Sequence, residues 1–252
     1  MASMTREAVI VTGAGRGIGA AVARLVGSNG FPVVVNYAKN KSAADGVVAE
    51  IVSRGGLAIA IQGDVGRETD IVRLFERAVK EFGAIGGLVN NAGVTGGFAR
   101  VEAVTADAIA EVLAVNVAGL MLCSREAVRR MSTRLGGKGG SIVNISSLVA
   151  RTGGAGEWAH YAASKGAVNS FTVGLAREVA EEGIRVNAVA PGLIETDLHA
   201  DNGAPDRLDR MAPMIPMKRA GRVEEVAEGV LWLLSEGASY VTGSVLEIGG
   251  GR

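Results

Sequence analysis

Short β-branched runs alternate with helix-period segments along this chain, and that alternation narrows the folds open to it more than any other feature. "EAVIVTG" runs into a glycine turn and then "GAAVARLVGSNG", an alanine-rich helix closed by Gly30. "PVVVNY" precedes the helical "KSAADGVVAEIVSRGG". "LAIAIQGDV" precedes "ETDIVRLFERAVKEFG", where Ile71, Leu74, Phe75, Ala78, Val79 and Phe82 recur at helical spacing. The strands "IGGLVNNAG", "GSIVNISS", "IRVNAVAPG" and "GSVLEIGG" follow. Between them lie a long helix "TADAIAEVLAVNVAGLMLCSREAVRRM", a helix from "YAASK" to about Glu182, and "EEVAEGVLWLLSE". Strand–helix–strand units join parallel strands by right-handed crossovers. The pattern predicts an α/β, doubly wound, seven-stranded parallel sheet with helices on both faces. No internal repeat, low-complexity tract or Pro/Ser linker divides the 252 residues, so residues 1–252 are expected to form a single domain.

Composition removes several classes of function. The 26 basic and 26 acidic side chains give a net charge of +0, which offers no attraction to nucleic acid or an anionic membrane. One cysteine, Cys123, excludes an internal disulfide framework and suits a reducing compartment. The apolar run in "MASMTREAVIVTG" is shorter than a signal-peptide core of about 7–15 residues. No run looks like the ~20 apolar residues of a membrane span. A cytoplasmic protein with no membrane partner is expected.

Ligands of such sheets lie at the carboxyl ends of the strands. "TGAGRGIG" follows the first strand and opens the first helix, so backbone N–H groups can face a pyrophosphate. Gly13, Gly15, Gly17 and Gly19 alternate, so the G-x-G-x-x-G pattern is not met: its last glycine would fall at Ile18. By itself the turn also admits the lesser reading of a tight strand–helix turn without a ligand. In "HYAASKG", Tyr161 and Lys165 stand one helical turn apart, on one face. A free tyrosine has a pKa of about 10, and lowering it by about 3 units needs roughly 4 kcal/mol of preference for the phenolate. Lys165 could supply part of that, although either residue alone reads as a surface side chain. Asn116 is a poor helix former inside an apolar helix, and Ser147 closes a strand.

Taken in order, "TGAGRGIG", "NNAG" at 90–93, "NISS" at 144–147, "YAASK" at 161–165 and "PGLIET" from Pro191 resemble the short-chain dehydrogenase/reductase family over nearly the whole chain. The resemblance implies a Rossmann fold and an NADP(H)-dependent oxidoreductase interconverting a carbonyl and a secondary alcohol by hydride transfer, with Tyr161 as acid/base. It implies Asn116, Ser147, Tyr161 and Lys165 as catalytic residues, Ser147 holding the substrate oxygen and Asn116 a water that links Lys165 to solvent. It places cofactor contacts at Gly13, Gly15, Arg16, Gly17, Ile18, Gly19, Asn91, Ala92 and Gly93. Asp64 and Val65 would bracket the adenine, and Pro191, Gly192, Ile194 and Thr196 would receive the nicotinamide amide. The spacing from Ser147 to Tyr161 is one residue longer than in similar members, within "GGAGEW".

NAD enzymes usually carry Asp or Glu at the end of the second strand. Here Asn36, Tyr37 and Lys39 stand in "NYAKNK", so Arg16 and Lys39 are expected to favour NADP(H) over NAD(H). Residues 193–218 carry clustered prolines and Met211, Met214 and Met217, which reads as a substrate lid or as a subunit contact. Arg151, Glu157, Trp158 and His160 lie between Ser147 and Tyr161, so some of them could touch a small-molecule substrate; His160 and His199 read as surface or interface residues, not metal ligands. The family's 3-oxoacyl-carrier-protein reductases and glucose or polyol dehydrogenases are both similar. Lys138 and Glu182 align with carrier-docking positions, one basic and one reversed. The family also implies a homotetramer, with a dimer next. A non-catalytic dinucleotide sensor is the alternative from another class; it would be expected to lose Tyr161 or Lys165.

Overall fold

The computed structural model describes residues 7–198 and 203–252. Its strands are β1 (Ala8–Val11), β2 (Val33–Tyr37), β3 (Ala58–Gln62), β4 (Ile85–Asn90), β5 (Gly140–Ile145), β6 (Ile184–Pro191) and β7 (Val245–Ile248). They form one seven-stranded parallel sheet in the order β3-β2-β1-β4-β5-β6-β7. Helices α1 (Gly17–Ser28), α2 (Lys41–Ser53) and α3 (Glu68–Phe82) serve the first half. Then come α4 (Ala106–Leu113), α5 (Leu120–Met131), α6 (Val149–Thr152), α7 (Ala159–Val179), α8 (Arg207–Met211) and α9 (Val223–Leu234).

Alternation along the strands builds two cores. Val9, Val11, Val33, Val35, Val89 and Val143 face α1, α2 and α9. Ile10, Val34, Leu88 and Ile142 face the other way, onto α3, α5 and α7. Both faces are covered, which explains why these strands read as continuous apolar runs instead of alternating ones.

The expected single helix over 105–131 is interrupted. Residues Ala114–Gly119 form a π turn between α4 and α5, with Asn116 inside it. One extra residue per turn rotates the face that follows, and such turns gather at functional sites. The same stretch, Ala106–Met131, also passes as a membrane span by length and composition, contrary to the expectation that no run would. In the fold α5 packs on β4 and α3. Ile109, Leu113 and Met121 stay exposed on this stretch.

β1 pairs with β2 on one side and β4 on the other. The chain therefore leaves the sheet in opposite directions here, and a crevice opens beyond the carboxyl ends. Thr12 and Asn91 close its floor. The Thr12 hydroxyl accepts from the N–H groups of Asn91 and Ala92, both at 3.0 Å, and donates to the Val89 carbonyl at 3.3 Å. Asn91 Nδ2 donates to the carbonyls of Thr12 and Gly13 at 2.9 and 3.1 Å.

Candidate active site

A cavity of about 810 Å³ occupies that crevice and collects residues from every strand end except β7. The glycine turn forms one wall. Gly13 and Gly17 have φ of +61° and +56°, where a side chain is strained. A Cβ on Gly13 would also lie 2.9 Å from Ala92 Cα, and one on Gly19 would strike Asn91 Nδ2. Gly15 is different. Its φ is ordinary, and a Cβ there would only touch Ala43 and Ala44 at 3.6–3.9 Å. The chain itself does not need glycine at 15. The N-cap residue Arg16 makes no side-chain capping hydrogen bond to α1, and the first turn of the helix holds no acid. These features fit a dinucleotide's phosphates.

The end of β2 carries no carboxylate. Asn36, buried, is turned to structure: its Nδ2 donates to the carbonyls of Ile61 at 3.3 Å and Gly63 at 3.0 Å, and its Oδ1 accepts from Gly13 N–H at 3.3 Å. It positions the glycine turn and lines the cavity beside Tyr37, Lys39, Asn40 and Arg16. Asn40 caps α2 by accepting from Ala43 N–H at 3.0 Å. Lys41 is paired with Asp45 at 2.6 Å, which leaves Lys39 as the β2-end lysine that lines the cavity. Asp64 accepts from Gly66 N–H at 2.9 Å and, with Val65, forms the wall beside it.

At the other end stand Ser147, Tyr161 and Lys165. Ser147 follows β5, and α7 carries the other two one turn apart. Lys165 Nζ donates to the Ile145 carbonyl at 2.7 Å and lies 5.6 Å from the Tyr161 ring centroid. Burial lowers the Lys165 pKa to about 8. Burial pushes the Tyr161 phenol up to about 12, against a hydrogen bond with Ser147 that pulls it back. Desolvation is the larger of these two influences, so the phenol lies above its ordinary value. Among the protein's own groups Tyr161 is a protonated donor at neutral pH.

Asn116 reaches this group through its amide. Its Nδ2 donates to the Val94 carbonyl at 2.8 Å and to Ser164 Oγ at 3.1 Å, while its Oδ1 accepts from Val94 N–H at 2.9 Å. Ser164 in turn donates to the Tyr161 carbonyl at 2.7 Å. Gly93 sits between Asn116 and Lys165: a Cβ there would lie 3.3 Å from Asn116 Oδ1 and 3.6 Å from Lys165 Nζ.

The comparisons with known proteins agree with this geometry. The family model described as "Enoyl-(Acyl carrier protein) reductase" matches residues 13–252. An uncharacterized oxidoreductase of Escherichia coli, YgfF, is 48% identical over 96% of this chain and 98% of its own. A 3-oxoacyl-[acyl-carrier-protein] reductase of Synechocystis is 39% identical over 100% of this chain and 98% of its own. A short chain dehydrogenase of Burkholderia cenocepacia, solved in complex with NADP, superposes with a TM-score of 0.90 at 33% identity, covering 98% of both chains. The chain belongs to the short-chain dehydrogenase/reductase family. It is an oxidoreductase of that family, with the nicotinamide-dinucleotide fold.

Against the family pattern, the rest of the site shows what the motifs leave out. Ser146 donates to Asn169 Oδ1 at 2.6 Å and to the Lys165 carbonyl at 3.3 Å, fastening α7 to β5. Asn90 Nδ2 donates to Ser124 and to Asn144, and Asn144 to Thr172, a polar chain buried between α5 and α7. The only sequence signal for Ser164, Asn169 and Thr172 is that they interrupt one face of an apolar helix.

The "PGLIET" segment lies where the motif implies. Pro191, Gly192, Ile194 and Thr196 line the cavity, and Thr196 Cγ2 would lie 3.6 Å from a Cβ on Gly17. Met211 packs on a small cluster of Leu193, Ile215 and Ala220, whereas Met214 and Met217 are exposed. His199 lies outside the described residues. The His160 Nε2 stands 2.8 Å from the Thr95 carbonyl. Arg151 pairs with Glu247 at 3.0 Å, away from the cavity lining. Glu182 is buried, hydrogen-bonded by Ser132 and paired with Arg134 at 2.9 Å. Its negative charge is thus answered within the chain.

Proposed function

We propose that this oxidoreductase prefers NADP(H) and interconverts a carbonyl and a secondary alcohol, with Tyr161 giving and taking the proton. The observation that carries the reading is that Ser147, Tyr161 and Lys165 share one cavity with an uncapped, glycine-lined helix start. When bound, the nicotinamide supplies or accepts the hydride. Ser147 holds the substrate oxygen by hydrogen bond and stabilises charge developing there. Tyr161, kept protonated by burial, donates to that oxygen. The Lys165 ammonium then favours the phenolate left behind. Asn116 fixes the Val94 loop and, through Ser164, the start of α7. Arg16 and Lys39 face the ribose 2′ position, and the absence of a carboxylate at the β2 end leaves room for a 2′-phosphate.

Residues 193–218 serve as the substrate lid, and residues 1–252 act as one domain. The exposed Ile109, Leu113 and Met121, with Trp232 on α9 and the fully exposed Tyr240, support a homotetramer, with a dimer next. The balanced charge and single cysteine support a cytoplasmic setting. The test is a panel of ketones, sugars and acyl thioesters followed by NADPH and NADH absorbance, alongside fluorescence titration of both cofactors. Turnover of one carbonyl class with NADPH is expected. Tight NADPH binding with no turnover of any class would favour the sensor.

A further inference from the structure

Three segments meet beside Tyr161 in a cluster that the mechanism does not use. Phe98 follows β4, Glu157 and Trp158 precede α7, and Arg207 lies on α8. Arg207 is 5% exposed, and its Nη1 and Nη2 donate to the two carboxylate oxygens of Glu157 at 2.8 and 2.7 Å. Its guanidinium carbon lies 4.8 Å from the Trp158 ring centroid and 5.1 Å from that of Phe98. Those two rings are stacked at 4.3 Å. Ala99 N–H donates to the Glu157 carbonyl at 2.9 Å, which ties the first two segments through their backbones as well. Trp158, 4% exposed, then meets the Tyr161 ring edge-on at 5.7 Å.

Helix α7 fixes the Tyr161 backbone, but the side chain can still turn about χ1 and χ2, and the hydroxyl at its tip then moves farthest. Trp158 is the ring packed against that motion. The indole is placed in turn by its two neighbours, Phe98 stacked on it and the Arg207 guanidinium beside both rings. A guanidinium bonded at two points to one carboxylate has its plane fixed. Its attraction to an indole is also the strongest among the aromatic side chains, and grows when the cation is desolvated, as Arg207 is. The clamp stays charged at neutral pH: the hydrogen bonds from Arg207, with Arg210 and Arg252 nearby, hold the Glu157 carboxyl below its usual range.

We propose that Arg207 is a positioning residue for the reaction: clamped by Glu157, it fixes the Trp158 indole, and Trp158 fixes the Tyr161 ring. In this role it touches neither substrate nor cofactor. The inference rests on the reading of Tyr161 as the group that moves the proton. Its hydroxyl must stand within hydrogen-bond reach of the substrate oxygen, and a misplacement of about 1 Å can cost ~100-fold in rate. An ion pair with a structural role alone would raise Tm and leave the rate of the folded enzyme untouched.

The experiment compares wild type, Arg207→Met, Glu157→Gln and the double variant as NADPH-saturated enzymes, with Tm and NADPH affinity recorded for each. Turnover is read on the fastest carbonyl of the panel above, with ethyl 3-oxobutanoate and 2-heptanone as first probes. In Arg207→Met kcat is expected to fall at least about tenfold at unchanged NADPH affinity. Glu157 is 40% exposed, so Glu157→Gln loosens the clamp without opening the core and should lower kcat by a smaller factor. Because the pair acts as one unit, the double variant should lose no more kcat than Arg207→Met. The second readout is fluorescence. The chain has two tryptophans, so in a Trp232→Phe background Trp158 emits alone. Arg207→Met should then shift that emission to the red and open it to iodide quenching. Wild-type kcat with a lowered Tm, losses that add in the double variant, or unchanged Trp158 emission would each overturn the inference. The reading of Tyr161 fails separately, if wild type reduces no carbonyl or Tyr161→Phe spares turnover while the Trp158 emission still responds to Arg207→Met.

Discussion

The two ends of the cavity are built on different terms. The glycine-turn end is held by backbone: φ angles at Gly13 and Gly17, no room for a Cβ at Gly19, and Thr12 and Asn91 bonded to main-chain groups. The end at α8 is held by side chains brought together from far apart, with Glu157 and Arg207 fifty positions from each other. Backbone demands confine residue type tightly and so leave motifs. Side-chain closure admits many solutions and leaves none. One end therefore carries a readable nucleotide-binding motif, while the other leaves no motif to read.

The comparison breaks first at the turn. Gly13→Val should lower NADPH affinity at least ~100-fold, about 3 kcal/mol, and depress Tm, because both φ and the Ala92 contact oppose it. Gly15→Ala sharpens the point: Tm should stay near wild type while NADPH binding weakens. Wild-type NADPH affinity in Gly15→Ala would show that nothing lies against the turn there.

Next in size is Lys165→Met. Burial lowers the Lys165 pKa from 10.5 to about 8, a destabilisation of roughly 3 kcal/mol at neutral pH, offset by a hydrogen bond to Ile145 of about 1 kcal/mol. The variant should lose activity yet unfold at higher temperature at pH 7. Between pH 8 and 10.5 the unfolded wild type binds more protons than the native, so wild-type stability rises with pH and the gap should close. A gap that is constant across that window would contradict a charged, buried Lys165.

Smaller still is cofactor choice. NADPH should bind at least tenfold more tightly than NADH, about 1.4 kcal/mol, and Arg16→Ala and Lys39→Ala should each shrink the difference. Added salt should do the same, since both cations are exposed. Equal affinities by fluorescence titration would mean that the β2 end does not discriminate. Least of all, Met214→Ser and Met217→Ser should change monomer stability by less than ~0.5 kcal/mol, both side chains being exposed.

What the sequence made legible follows the same division. The strand ends, the glycine turn and the Tyr161–Lys165 spacing could be read because each is a local requirement. The π turn at 114–119 could not, since one inserted residue hardly disturbs an apolar helical pattern. Asn36 lines the cavity where a cofactor contact is expected, and its buried amide also holds Gly13, Ile61 and Gly63, a role that spacing does not reveal. Tyr161 was expected to be acidified by its neighbour. Spacing alone carries no term for desolvation, which here acts on both members of the pair and in opposite directions. Ser146, Asn169 and Ser164 escaped notice because their partners are brought close only by the packing of α7 on β5.

The central claim is that Tyr161 moves the proton at the reacting oxygen. The direct measurement is turnover with NADPH in wild type and Tyr161→Phe, with cofactor affinity and Tm recorded for both. The account predicts a fall of at least ~100-fold at unchanged NADPH affinity. It also predicts wild-type reduction that declines above pH about 8, as Lys165 loses its charge. Near-normal turnover in a folded, NADPH-binding Tyr161→Phe would contradict it.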